Sequence, residues 1–130
     1  MDIVNHWIGG VSVEGESTRT APVFNPALGT VAREVRLATT ADVNSAVAVA
    51  NAAFPAWAET SLAKRQAIIF TFRELLNARK QDLAEILTAE HGKVLSDALG
   101  EIARGLEVVE FATGFPHMMK GEYSENVSTG

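Results

Sequence analysis

The hydrophobic period of this chain changes at residue 39. Before that point apolar residues come in short runs broken by glycine and proline, and beyond it they recur every three to four residues as far as residue 113. A strand turns successive side chains to opposite faces, whereas a helix brings every third or fourth to one face, so the two patterns are not interchangeable. Residues 1–38 are therefore expected as strands and turns, 39–113 as helices and 114–130 as a tail. No internal repeat or low-complexity linker interrupts this order.

In the first part, HWIGGVSV is two apolar runs joined by Gly9-Gly10. Glycine supplies the positive φ that tight hairpin turns need, so a hairpin is expected there. VFNPALGTV carries Asn25-Pro26 and Gly29, a turn between Val23-Phe24 and the run from Thr30. In TVAREVRL, Val31, Val35 and Leu37 share one face by period-2 counting, but Arg33 interrupts it. An edge or exposed strand is expected.

In the second part, Thr39 or Thr40 can cap a helix with Asp42 in its first turn, where a carboxylate meets free backbone N–H groups. Its stripe is Val43, Ala46, Val47, Ala50 and Phe54, and Pro55 is expected to end it. Ser61 can cap the next helix, striped by Ile68, Ile69, Phe72, Leu75 and Leu76. Leu83, Ile86 and Leu87 run to Gly92, a helix stop. The last helix covers roughly 94–113, closed by Gly114 and Pro116.

Composition excludes several function classes. The chain has 130 residues, about one domain, with 47% hydrophobic and 21% charged residues. Net charge is -5 with no basic run, which argues against nucleic-acid or membrane-surface partners, since phosphate binding needs clustered lysine and arginine. There is no cysteine, so disulfides, thiolate metal sites and thiol nucleophiles are excluded within this chain. MDIVNHW lacks a basic start followed by an apolar core, and AVAVANAAF is short and interrupted by Asn51. A soluble cytoplasmic protein is the default expectation.

The last helix has two faces. Leu95, Leu99, Ile102, Leu106 and Val109 form a core stripe, and Arg104 lies about 160–180° from its centre at about 100° per residue. A solvated face would be ordinary there, yet Gly100, Val108 and Phe111 project to the same side. Gly100 and Gly105 each cost up to about 1 kcal/mol relative to alanine inside a helix. That cost is better tolerated where a backbone or ligand comes close, so the helix is expected to be contacted on both sides.

Other candidates have ordinary explanations. His6, His91 and His117 have no neighbour at metal-ligand spacing, and surface or capping roles are expected. No dinucleotide glycine motif, phosphate loop or Gly-x-Ser-x-Gly occurs. Asn126-Val127-Ser128 fits the glycosylation pattern without a secretory signal beside it. Asp97 and Glu101 read as a solvated acidic face. Met118-Met119 either pack under the tail or line an apolar opening, with packing expected because methionine fills irregular gaps. For Arg104 two readings stand: an ion pair with Glu101 or Glu107, or capture of a carboxylate by its planar fork.

Taken together, NHWIGG, FNPALGTV, ADVNSAVAVANAAFPAWAETSLAKR and LTAEHGKVLSDALGEI, in this order and spacing, resemble the N-terminal part of the aldehyde dehydrogenase superfamily. The resemblance covers essentially all 130 residues. EIARGLEVVEFATGFPHMMKG looks like the methylmalonate-semialdehyde dehydrogenases, the CoA-acylating branch.

The resemblance implies an α/β parent with a Rossmann-type cofactor domain, of which residues 1–130 are an N-terminal segment, mostly helical with short antiparallel strands. It implies that Arg104 binds the substrate carboxylate at the mouth of the active site. It implies a cysteine thiolate that attacks the aldehyde, NAD as hydride acceptor and CoA as acyl acceptor, with the product losing CO2. The cysteine and the cofactor loops would lie elsewhere in a longer, homo-oligomeric polypeptide, and no cofactor is expected on this segment. On its own the chain is expected neither to oxidise aldehydes nor to bind NAD tightly. Two alternatives remain: an aldehyde dehydrogenase for another substrate, such as a different semialdehyde or betaine aldehyde, and a stand-alone helical interaction module.

Overall fold

Each glycine of the first turn takes the conformation the hairpin requires. In the computed structural model, which describes residues 2–122 and Glu125, Gly9 and Gly10 have φ of 64° and 83°. Two consecutive positive φ values match the right-handed twist of a tight hairpin. They join β2 (His6–Ile8) to β3 (Val11–Val13), antiparallel with Ile8 opposite Val11.

The second turn is built by Asn25. Its side-chain oxygen accepts from the N–H groups of Ala27 at 3.0 Å and Leu28 at 3.2 Å, and its carbonyl accepts from Gly29 N–H at 2.8 Å. This turn joins β4 (Thr20–Asn25) to β5 (Thr30–Arg36). With β1 (Ile3–Val4) they form a three-stranded sheet in the order β1-β5-β4, in which β1 runs parallel to β5.

Strand β5 is thus central rather than an edge, although the exposure expected of TVAREVRL holds over its first four residues. Opposite Val23–Phe24 the register skips from Arg33 to Val31, leaving Ala32 without a partner. Period-2 counting across such a bulge no longer places Val31 on the face of Val35. The first four residues of β5 are exposed, and only Glu34–Arg36, flanked by both neighbours, are half-buried.

Helix α1 (Thr40–Ala58) begins at a capping box. The Thr39 hydroxyl oxygen accepts from Asp42 N–H at 3.1 Å, and Asp42 accepts from Thr39 N–H at 2.8 Å. The Asp42 carboxylate also accepts from the Thr39 hydroxyl at 2.8 Å and from Glu16 N–H at 3.0 Å. The helix was expected to stop at Pro55, but it continues to Ala58. Proline only removes its own bond to the preceding turn, while later residues can still donate: Glu59 N–H reaches the Pro55 carbonyl at 3.1 Å. Arg65 then closes the end. Its guanidinium donates to the carbonyls of Trp57, Ala58 and Thr60 at 2.8–2.9 Å and lies 5.2 Å from the Trp57 ring centroid.

The bonds to Thr39, backbone first, and the one from Glu16 hold the Asp42 carboxyl below its usual value. The folded chain therefore binds this proton less readily than the unfolded chain. Stability from Asp42 is complete above the unfolded carboxylate value of about 4 and is lost as pH falls through the folded one. Thermal unfolding followed by circular dichroism should show the native midpoint dropping on acidification. Asp42→Asn should lower the midpoint at neutral pH and flatten that acid drop.

Helix α2 (Leu62–Ala78) starts at Ser61, whose hydroxyl accepts from Lys64 N–H at 3.4 Å. Helix α3 (Lys80–His91) ends at Gly92, where φ is 82°. A β-carbon on Gly92 would lie 3.0 Å from Pro26 Cγ, so both the left-handed backbone and the close approach require glycine. Helix α4 (Leu95–Ala112) follows, and the tail begins with a short helix, α5 (Phe115–Met118), which has Pro116 in its first turn.

The core lies between α2, α3 and α4. Ala84 of α3 and Ala98 of α4 are completely buried where these helices pack. Leu95, Leu99, Ile102, Leu106 and Val109 turn to this side and are half-buried, as the stripe on the last helix implied. Gln66 donates to the Thr113 carbonyl at 2.7 Å and Arg73 to Glu110 at 3.0 Å, tying α2 to the end of α4. No large side chain is fully buried among the described residues. Val43, Val47 and Phe54 of α1 and Ile68, Phe72 and Leu75 of α2 have the expected helical spacing but are exposed. Asn126-Val127-Ser128 and most of the polar tail lie outside the described residues.

Candidate functional site

Helix α4 gains its N-terminal anchor from a lysine. Its N-cap residue, Val94, offers no side-chain cap. Lys93 instead places its ammonium 2.7 Å from Asp97 and 2.6 Å from Glu101, across the first two turns. The Lys93 side chain is 12% exposed. Asp97, then Glu101, raise the lysine's pKa, and Lys93 in turn holds the Asp97 carboxyl below its usual value. The expected solvated acidic face of Asp97 and Glu101 is therefore an ion triad. Its sequence signal was available: Lys93, Asp97 and Glu101 repeat at four-residue spacing, one helical ridge.

Arg104 stands on the other face of α4, 66% exposed. One terminal nitrogen is 4.0 Å from Glu101 Oε1, the limit of an ion pair, and Glu101 is its only acidic partner among the described residues. The other terminal nitrogen lies over Gly100, 3.7 Å from where a β-carbon would stand. Val108 and Phe111 are 68% and 73% exposed. A β-carbon at Gly105 would meet nothing within 4 Å. The helix thus presents an open strip with a guanidinium, the bare Gly105 and two apolar side chains, chemically suited to an anion carrying an apolar group.

The remaining candidates lie apart from this strip. His6 is half-buried beside Asp42 and its Nε2 has no hydrogen-bond partner, while His91 and His117 are exposed in the last turns of α3 and α5. Met118 and Met119 are 54% and 60% exposed, and most of the tail under which they were expected to pack lies outside the described residues. Among the described residues no group of three or more histidine, cysteine, aspartate or glutamate side chains is gathered at metal distance. None of their helices is long and apolar enough to cross a membrane.

The Asp42 carboxylate caps the N-terminus of α1, and Asp97 stands in the first turn of α4. A groove of about 440 Å3 on α2 is lined by Ala67, Ile68, Thr71, Phe72 and Leu75, none of them cationic.

Comparison with known proteins places these features. A family model described as the aldehyde dehydrogenase family matches residues 12–130. Malonate-semialdehyde dehydrogenase 3 of Bacillus cereus is 44% identical over 98% of the chain. A crystal structure from Sinorhizobium meliloti 1021, bearing the name methylmalonate-semialdehyde dehydrogenase and complexed with NAD, superposes with a TM-score of 0.90 at 45% identity over the whole chain. An NAD-dependent benzaldehyde dehydrogenase from Corynebacterium glutamicum superposes with a TM-score of 0.85 at 35% identity, also over the whole chain. The chain spans 26% of the first two relatives and 28% of the third. Its strands and helices are those of a segment of the α/β aldehyde dehydrogenase fold with its Rossmann-type domain. On the family match and these identities, the chain belongs to the aldehyde dehydrogenase family.

Proposed function

We propose that the chain is the N-terminal segment of the cofactor-binding domain of an NAD-dependent, CoA-acylating semialdehyde dehydrogenase. The parent enzyme converts methylmalonate or malonate semialdehyde to propionyl- or acetyl-CoA with loss of CO2. The observation that carries the reading is the weakly paired, exposed Arg104 guanidinium on the open strip of α4. Both named substrates keep a carboxylate beside the aldehyde, and a bidentate arginine holds such a group in a fixed orientation. The names of the Bacillus cereus and Sinorhizobium meliloti relatives support the substrate class.

The chain has no cysteine, so the nucleophile belongs to the remainder of the polypeptide, with the groups that hold NAD and CoA. Its own task is to bind and orient: Arg104 fixes the carboxylate, and Val108 and Phe111 keep water from the apolar part of the substrate. The exposed stripes of α1 and α2 support packing against that remainder in a homo-oligomeric cytoplasmic enzyme.

The test is direct. Full-length protein supplied with methylmalonate semialdehyde, NAD and CoA should yield NADH and propionyl-CoA, and the 130-residue chain should yield neither. Aldehyde-dependent NADH from the short chain would reject the division of labour. A full-length enzyme that turns over benzaldehyde and ignores the semialdehydes would favour a second reading, supported by the benzaldehyde dehydrogenase neighbour. A helical interaction module, which the bare faces of α1 and α2 also suit, would be favoured by a full-length product inactive on every aldehyde.

A further inference from the structure

Lys93, Asp97, Glu101 and Arg104 form a line of charges along α4, two carboxylates between two cations. The same oxygen of Glu101 that lies 2.6 Å from the Lys93 ammonium is 4.0 Å from Arg104. We infer that Lys93 is a specificity-determining positioning residue: by engaging Glu101 it keeps that carboxylate from quenching Arg104 and leaves the guanidinium available to an anionic substrate. The inference rests on the reading of Arg104 as the carboxylate-binding group.

Glu101 and Arg104 are neighbours one helical turn apart, a spacing at which opposite charges pair when nothing competes. An arginine held by its own chain's carboxylate must release it before accepting another, and that competition weakens substrate binding. Lys93 wins the contest for Glu101 because its surroundings are drier. Its side chain is 12% exposed against 66% for Arg104, so its attraction is screened less by water and salt. Asp97 shares the same ammonium at 2.7 Å, and the two carboxylates raise the Lys93 pKa. The four groups sum to zero charge, and Arg104 is the more exposed of the two cations, on the strip that Val108 and Phe111 share.

The experiment compares Lys93→Gln, Glu101→Gln and the double variant in the full-length enzyme. KM and kcat are measured for methylmalonate semialdehyde and for propanal. In Lys93→Gln the freed Glu101 should pair with Arg104 and raise KM for the charged substrate about two- to fivefold, the range of an exposed ion pair. Its kcat and the propanal constants should stay near native. Adding Glu101→Gln should restore the native KM, and high salt should shrink the single-variant effect.

Equal losses on both substrates without rescue would show a lysine that merely supports the fold, and would overturn the inference. If Lys93→Gln does not fold, Glu101→Gln alone decides: an unchanged KM for the charged substrate agrees, and a KM clearly raised or lowered overturns it. Arg104→Leu, assayed alongside, separates the two levels. If that variant treats both aldehydes alike, the carboxylate role of Arg104 falls. If it is selective while Lys93→Gln is silent, only the role of Lys93 falls.

Discussion

Replacing Arg104 with leucine in the full-length enzyme should lower kcat/KM for methylmalonate semialdehyde by about 10- to 100-fold, the worth of a hydrogen bond to a charged group. Propanal, which has the same carbon chain end but no carboxylate, should lose no more than about twofold, since leucine keeps much of the side chain's apolar bulk. The selectivity is the informative quantity. Among the described residues Arg104 makes one ion contact, at 4.0 Å, so its removal leaves no buried partner stranded there. Neighbouring Gly105 has free space around it, and no packed contact there depends on the arginine. Steady-state assays with both aldehydes check the prediction, and equal losses would count against a carboxylate contact.

The second large effect concerns the core. Ala98, like Ala84 of α3, is completely buried where α4 packs on α3. Leucine there adds three carbons where no space is left, at a cost of about 1–3 kcal/mol. Urea unfolding of Ala98→Leu should show an earlier midpoint than the native chain. Gly105→Ala is the control of opposite sign. It relieves the backbone freedom of a helical glycine without touching another atom, and should stabilise by up to about 1 kcal/mol.

Local chemistry was what the residues announced best. Thr39 with Asp42, Ser61, Gly92 and the Gly9-Gly10 turn act within a few positions of themselves, and each was readable where it stood. Pro55 misled because the helix end is set from outside, by Arg65 reaching back to three carbonyls. β5 misled because one unpaired residue, Ala32, resets the alternation, and because its second neighbour, β1, comes from the far end of the sheet's sequence.

At the site, the two-faced character of α4 followed from its period, as did the isolation of Arg104 opposite the core stripe. The allegiance of Glu101 did not. Spacing offers it Arg104 one turn away and Lys93 two turns away, and the relative dryness of Lys93 decides for the more distant partner. The exposed stripes of α1 and α2 were likewise legible as apolar faces, while what covers them is not encoded in their own residues.

The turn between β4 and β5 reaches further than its position implies. Pro26 abuts Gly92 at the end of α3, and Arg33 on β5 pairs with Glu90 just before it at 3.4 Å. Lys93 is the next residue after Gly92. The hairpin therefore braces the joint between α3 and α4, one residue ahead of Lys93. A change in the loop at residues 26–28 would therefore be felt at the start of α4, without altering a single side chain on the helix.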